Sequence, residues 1–206
     1  LIVVVGLVGA LSIALVRGFG GGKTAALQSG QAVVANLLSA ARDRAVANGT
    51  TTRLLFNQSP AGPRRYLHYL VLQEQVSSGG PWQVVTDAFL SQGVCVLPEQ
   101  SNAPTGLLAD PDGWITSSGG TLDSSALSVL TEEAAVAAYP DDSWSMITFS
   151  SAGAPDPPGG LIVLATARTV PPGESLPVQL LDPQNVRGVR LSRYGVPVRL
   201  NGRSEF

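Results

Sequence analysis

The sequence predicts an α+β chain, with a long N-terminal α-helix broken at a glycine stretch and packed on a C-terminal antiparallel β-sheet head. Three observations carry that prediction. Leu1 to Val16 (LIVVVGLVGALSIALV) hold no charge and one polar side chain, Ser12. Between Thr24 and Asn48 apolar residues recur at three- and four-residue spacing, the period of one helix face. Beyond Gly49 runs of β-branched and aromatic residues alternate with Pro- and Gly-rich turns to the end. The expected division is an apolar helix with its glycine break over 1–23, an amphipathic helix over 24–49 and a β-rich globular head over 50–206.

The apolar run is taken first. A spanning helix needs roughly 20 apolar residues, because each residue rises about 1.5 Å through a hydrocarbon core about 30 Å thick. Sixteen fall a little short, so either a few residues precede Leu1 or the helix is buried in protein. A signal peptide would carry a basic region before the run and a small-x-small site after it, and here the run opens on leucine and leads into Arg17 and Phe19. The segment therefore reads as part of the mature protein, the other reading being a clipped anchor or signal remnant.

The second helix follows a glycine-rich break. Gly18, Gly20, Gly21 and Gly22 each cost about 1 kcal/mol relative to alanine in a helix interior, which predicts a stretch that extends or melts easily. Thr24 is the expected N-cap, Leu27, Val34, Leu37, Leu38, Ala41 and Ala45 the expected inner face, with Gln28, Gln31, Arg42 and Asp43 placed elsewhere. Asn48 followed by Gly49 is the expected stop, since a left-handed residue there carries no penalty for glycine.

The head reads as strands and turns. Thr50–Phe56 and Tyr66–Gln73 are expected to pair through the turn 59–65, with Tyr66, His68, Leu70 and Leu72 on one face. Further strands are expected at Trp82–Val85, Gly93–Leu97, Trp144–Phe149, Gly160–Ala167, Val178–Leu181, Val189–Arg193 and Val196–Leu200. Thr131–Ala138 reads as a short helix with its glutamates in the first turn, and Glu99–Ser125 as a long loop.

Composition and motifs bound the chemistry. A net charge of −2 with 14% charged residues excludes an electrostatic nucleic-acid binder, which needs a basic stripe to neutralise phosphates. One cysteine, Cys95, and one histidine, His68, cannot form a zinc cluster; Cys95 sits in an alternating apolar run and reads as a buried thiol. His68 lies between tyrosines without a nucleophile elbow, and the adjacent carboxylates Glu132/Glu133 and Asp141/Asp142 point apart. Gly20–Thr24 lacks the first glycine of a phosphate loop and follows no strand. Asp110 to Gly113 satisfies turn geometry by itself, although a loop calcium site that would also draw on Asp141 and Asp142 is an alternative. Asn48-Gly-Thr and Asn57-Gln-Ser match glycosylation sequons. Neither catalytic residues nor a cofactor or metal is expected.

With these residues in view, the chain resembles the type IV pilins and the pseudopilins of type II secretion systems. Aligned on their mature Phe-Thr-Leu-Ile-Glu opening, LIVVVGLVGA begins just after the glutamate, with Gly9 at the recurrent helix glycine. Asn36 to Phe56, with the step Ala41, Arg42, Ala45, is similar to the H-type minor pseudopilins. Ser145–Leu164 and Asn185–Leu200 resemble the strand-turn-strand blocks that close the same head. The resemblance implies a structural subunit held in the inner membrane until its apolar helix packs among identical helices, or with other minor pilins, in a periplasmic or extracellular filament of the bacterial envelope. The filament-core packing positions are then Leu1, Val4, Val5, Gly6, Val8, Gly9, Leu11, Ser12 and Leu15, each buried Val or Leu contributing about 1.5–3 kcal/mol relative to water and the small residues letting backbones approach. A major subunit, a minor tip subunit and a membrane-anchored β-sandwich that binds a ligand all remain open.

Overall fold

In the computed structural model the described residues are 2–104, 107–108, 114–116, 119–132, 135–171 and 176–206, with side chains described from Gly22 onward. One helix, α1 (Ile2–Asn48), precedes eleven strands: β1 (Thr52–Asn57), β2 (Tyr69–Gln75), β3 (Trp82–Phe89), β4 (Val94–Val96), β5 (Ser128–Leu130), β6 (Trp144–Phe149), β7 (Pro155–Asp156), β8 (Gly160–Thr169), β9 (Val178–Leu180), β10 (Val186–Leu191) and β11 (Pro197–Leu200). The architecture is α+β, and every strand pair is antiparallel.

The strands form two sheets. The first runs β3-β2-β1-β6-β5 with β7 also on β6; the second runs β11-β10-β8-β4 with β9 also on β8. The period of two in the strands sorts side chains into three cores. Leu54 and Phe56 of β1, Leu70 and Leu72 of β2, and Ile147 and Phe149 of β6 meet the helix together with Val94, Ile162, Leu164, Val189 and Leu191 of the second sheet. The alternate residues Leu55, Tyr69, Val71 and Trp144 face away from the helix and are covered by Ala135 and Val136. On the far face of the second sheet Cys95, Val163, Ala165 and Val186 lie under Leu107, Trp114 and Leu122 from the long loop. Both sheets are thus covered on two faces, which is why β1 and most of β8 are buried along consecutive residues.

Several expectations are corrected. The helix does not break at Gly18, Gly20, Gly21 and Gly22: α1 is continuous from Ile2 to Asn48 and Thr24 is interior to it rather than its cap. Glycine lowers helix stability without forbidding helical geometry, and helix anchored on the head can propagate through a weak stretch at the cost of a residue-by-residue penalty rather than a new nucleation. The stop is where the sequence places it, with Gly49 at φ +64° directly after the helix.

Tyr66–His68 are turn, not strand. Leu67 takes φ +60°, which costs about 1–2 kcal/mol for a non-glycine residue. Its backbone is held from both sides, because Leu67 N–H donates to Asn57 of the first sheet and its carbonyl accepts from Val96 of the second, 3.0 and 2.9 Å. Thr131–Ala138 is not a helix in its described residues, since Glu132 is drawn across to Arg53. The short strands β5 and β7, which carry no alternating signature, were not expected; β5 is fixed by pairing with Met146 to Trp144 of β6, and β7 by pairing with Thr148 and Phe149.

Candidate assembly surface

The C-terminal half of α1 is built into the head. Leu27, Val34, Leu38, Ala41 and Ala45 are fully buried, as their spacing predicts, and Leu37 is half-buried beside them. Gly30 lets the helix approach the second sheet: an added Cβ would stand 3.0 Å from Val94 Cγ1 and 3.3 Å from Leu164 Cδ2. Gln31 is the exception to the expected pattern. It is buried on the inner face, where its side-chain amide donates to the carbonyls of Gly188 and Leu200, both at 2.7 Å. Its position, four after Leu27 and three before Val34, already belonged to that face; residue type alone suggested otherwise.

Three side chains lock the end of the helix. Glu74 on β2 accepts from Arg44 Nε (3.0 Å), Thr50 Oγ1 (3.0 Å) and Asn48 Nδ2. The hydrogen bond from Asn48 leads the interactions that hold the Glu74 carboxyl below its ordinary value, against a smaller opposing effect of burial. Thr52 Oγ1 donates to the Ala41 carbonyl at 2.8 Å, and Arg42 Nε donates to the Tyr194 carbonyl at 3.1 Å. Arg42 also packs where the turns carrying Gly153 (φ +75°) and Gly195 (φ +77°) converge, so the helix is gripped by both sheets. The outward side of α1 presents Ala25, Ser29, Asn36, Asp43 and Val46 to solvent.

The remaining polar candidates are placed as follows. His68 is half-buried with Nδ1 on the Val94 carbonyl, and burial lowers its pKa against that hydrogen bond. Cys95 is fully buried, which pushes its thiol up to about 12. Asp142 receives Arg65 Nε at 2.9 Å and Asn57 Nδ2 at 2.8 Å. Burial works against its ionisation, but these donors outweigh it and hold its pKa below the ordinary carboxylate value. Asn57 is fully buried, so its sequon is closed to a glycan. Asp110, Asp112 and Glu133 lie outside the described residues, and among the described residues no group of three or more His, Cys, Asp or Glu side chains could hold a metal ion.

Sequence reasoning missed Arg53, buried on the outer face of β1. Its guanidinium stacks over Trp82 at 4.0 Å, donates from Nε to Gln73 Oε1 at 2.7 Å and pairs with Glu132. An arginine within a buried strand is the signal that could have found it, since such a charge requires partners.

The nine packing positions Leu1, Val4, Val5, Gly6, Val8, Gly9, Leu11, Ser12 and Leu15 have side chains outside the described residues, as do Gly18, Gly20 and Gly21; Gly22 is exposed on the helix. Among the described residues no helix is long and apolar enough to cross a membrane.

No family model matches the chain, and no curated protein matches it. Among solved structures the chain is similar to the type IV minor pilin FimU of Pseudomonas aeruginosa, at 15% identity over 84% of this chain and 86% of that one, with a TM-score of 0.42. It is also similar to the minor pseudopilin EpsH from the Type 2 Secretion System of Vibrio cholerae, at 16% identity over 85% of this chain and 94% of that one, with a TM-score of 0.39.

Proposed function

We propose that the chain is a structural subunit of a type IV pilus-like or pseudopilus filament, polymerising through its apolar N-terminal helix, with no catalytic role. The observation that carries this reading is the continuity of α1: one helix of 47 residues joins the apolar run to the centre of the head. At about 1.5 Å per residue it forms a rod about 70 Å long, so a force or packing contact on Ile2 to Val16 reaches the head core through continuous hydrogen-bonded backbone. Before assembly the apolar run would sit in the inner membrane; afterwards identical helices, or those of other minor pilins, would replace lipid around it. Burial in protein then substitutes for burial in lipid, with Gly6, Gly9 and Ser12 allowing close backbone approach. The glycine stretch 18–22 is the part of the rod with least intrinsic helix stability, which favours it as the place where a loaded filament would lengthen.

Electron microscopy of material sheared from cells producing the full chain tests this reading. Filaments containing this chain are expected, and Gly9→Leu is expected to reduce their yield at least tenfold while the head keeps its thermal melting transition. Wild-type protein that stays in membranes without any filament would leave the anchored β-sandwich in its place.

A further inference from the structure

Charge is segregated along this chain. Tyr66 to Ala167 contain none of its 13 Lys and Arg residues but 11 of its 15 Asp and Glu residues, so the two ends must supply every cation that this segment pairs with. In the first sheet and the adjoining helix that neutralisation happens within the molecule: Arg44 with Glu74, Arg53 with Glu132 and Arg65 with Asp142. In the second sheet it does not. Arg168 donates to Gln179, Arg187 to Asn201, Arg190 to the Glu205 carbonyl and Arg203 to the carbonyls of Pro183 and Ile115. Arg193 bonds the Tyr194 hydroxyl. Among the described residues none of these arginines, nor Arg199, forms an ion pair with an Asp or Glu side chain.

Exposed apolar side chains fall at the same two places. Among the described residues nine large hydrophobics are exposed; Tyr194, Val196 and Val198 belong to β11 and its turn, and Val76, Val84 and Phe89 to β3 and its turn. Three of these six (Val84, Phe89 and Val198) lie in β3 and β11 and three in the adjoining turns, and both strands are outer edges of their sheets, with no further strand paired on one side among the described residues. Edge strands are commonly guarded by charge against pairing with their own kind. Arginines at 190, 193 and 199 would repel a second β11, and Asp87 on β3 would repel a second β3. The same charges attract when β11 meets β3. Arg65, which stacks over Tyr139 near Tyr69 on the outer face of the first sheet, is already held by Asp142, so Asp87, whose partner is the Tyr69 hydroxyl at 2.9 Å, is open to an arginine from outside.

We propose that one face of the β11 edge (Val196 and Val198, with Arg190 of β10 opposite Val198 on the same face) docks on the β3 edge (Val84, Asp87, Phe89) of a second copy of this chain. The two surfaces differ, so the contact is heterologous. Each copy presents one of each, and a contact of that kind that does not close into a ring extends as an open helical array. The occupant is thus another head, and the inference rests on the filament reading for its place in an assembly but not for its chemistry.

Cysteine cross-linking in cells producing the full chain tests it. Cys95 is fully buried and does not compete. A chain carrying both Val84→Cys and Val198→Cys is expected to give a ladder of dimers, trimers and higher species on mild oxidation, whereas either substitution alone gives monomer. Asp87→Arg or Arg190→Glu in the double-cysteine chain is expected to reduce the ladder at least tenfold, and the two together to restore it. Dimers from Val198→Cys alone, or no ladder from the double-cysteine chain, would overturn the proposal. So would binding of the full chain to vesicles of anionic lipid that is lost with Arg190→Glu and indifferent to Asp87→Arg, because the arginine would then serve a membrane. Filaments without a ladder would remove this contact and leave the filament reading intact; a ladder without filaments would do the reverse.

Discussion

Gln31 illustrates how a single polar side chain can unite distant parts of the molecule. Its amide nitrogen donates to carbonyls 157 and 169 residues away, which are otherwise carbonyls of a buried sheet face. Leaving such acceptors unmatched costs about 1–3 kcal/mol. Gln31→Leu is therefore expected to lower stability by about 2 kcal/mol and Tm by several degrees for a chain of this size, although leucine fills a similar volume. Thermal denaturation followed by circular dichroism checks this, and an unchanged Tm would contradict it. Titration acts at the same scale. His68, Glu74 and Asp142 all have folded pKa values below their ordinary 6.5, 4.5 and 3.8. A depressed folded value means that the unfolded chain binds the proton first, so the stability is full above the ordinary value and is lost as pH falls through the interval down to the folded one. Stability is expected to fall first below about pH 6.5, from His68, and again below about pH 4.5, from Glu74 and Asp142. His68→Gln should flatten only the first step in urea denaturation series run across pH, and Asp142→Asn only the second.

At the scale of elements, the decisive features are where α1 meets turns. Gly195 sits at φ +77°, and an added Cβ would stand 2.4 Å from the Gly153 carbonyl oxygen. Gly195→Ala is therefore expected to destabilise the head by more than the 1 kcal/mol or so of a left-handed backbone alone, because the turn must also move off Gly153. The Arg42 bond to the Tyr194 carbonyl would go with it, so the last turns of α1 should lose hydrogen-exchange protection before the rest of the head does. Leu38→Ala, in contrast, opens a void in the middle of the main core and is expected to cost about 2–5 kcal/mol while exchange protection falls throughout the head, as a global change does. Equal local and global effects in the two variants would show that the helix end is not separately clamped.

For the whole molecule, a single helix links an apolar run to a two-sheet head, and the glycines lie between them. Helix continuity and local stability are different properties. Amides of residues 18–22 are expected to exchange faster than those of residues 34–45, which lie in the main core, and replacing Gly20, Gly21 and Gly22 with alanine should slow them by stabilising the helix by about 1 kcal/mol per residue. Exchange at 18–22 as slow as at 34–45 in the unaltered chain would remove the basis for treating this stretch as the soft part of the rod.

Much of this was legible in the sequence, because periodicity is local. The inner face from Leu27 to Ala45, the helix stop at Asn48 and Gly49, and the strands at Trp144–Phe149 and Val178–Leu180 need only the spacing of apolar residues and the backbone preferences of neighbours. Other features depend on which face meets which. Tyr66–His68 had the composition of a strand, yet became a junction because β1 and β4 both needed its backbone. Thr131 and Glu132 had a helix opening, yet Arg53, 79 residues away, drew the glutamate off. Local spacing was enough to require an apolar helix running into a core-forming helix, with strands to follow. The burial of Gln31 and the lack of a carboxylate side-chain partner for the second sheet's arginines among the described residues depend on contacts between residues far apart in the chain, and the helix passes unbroken through its glycines because it propagates from the half anchored on the head.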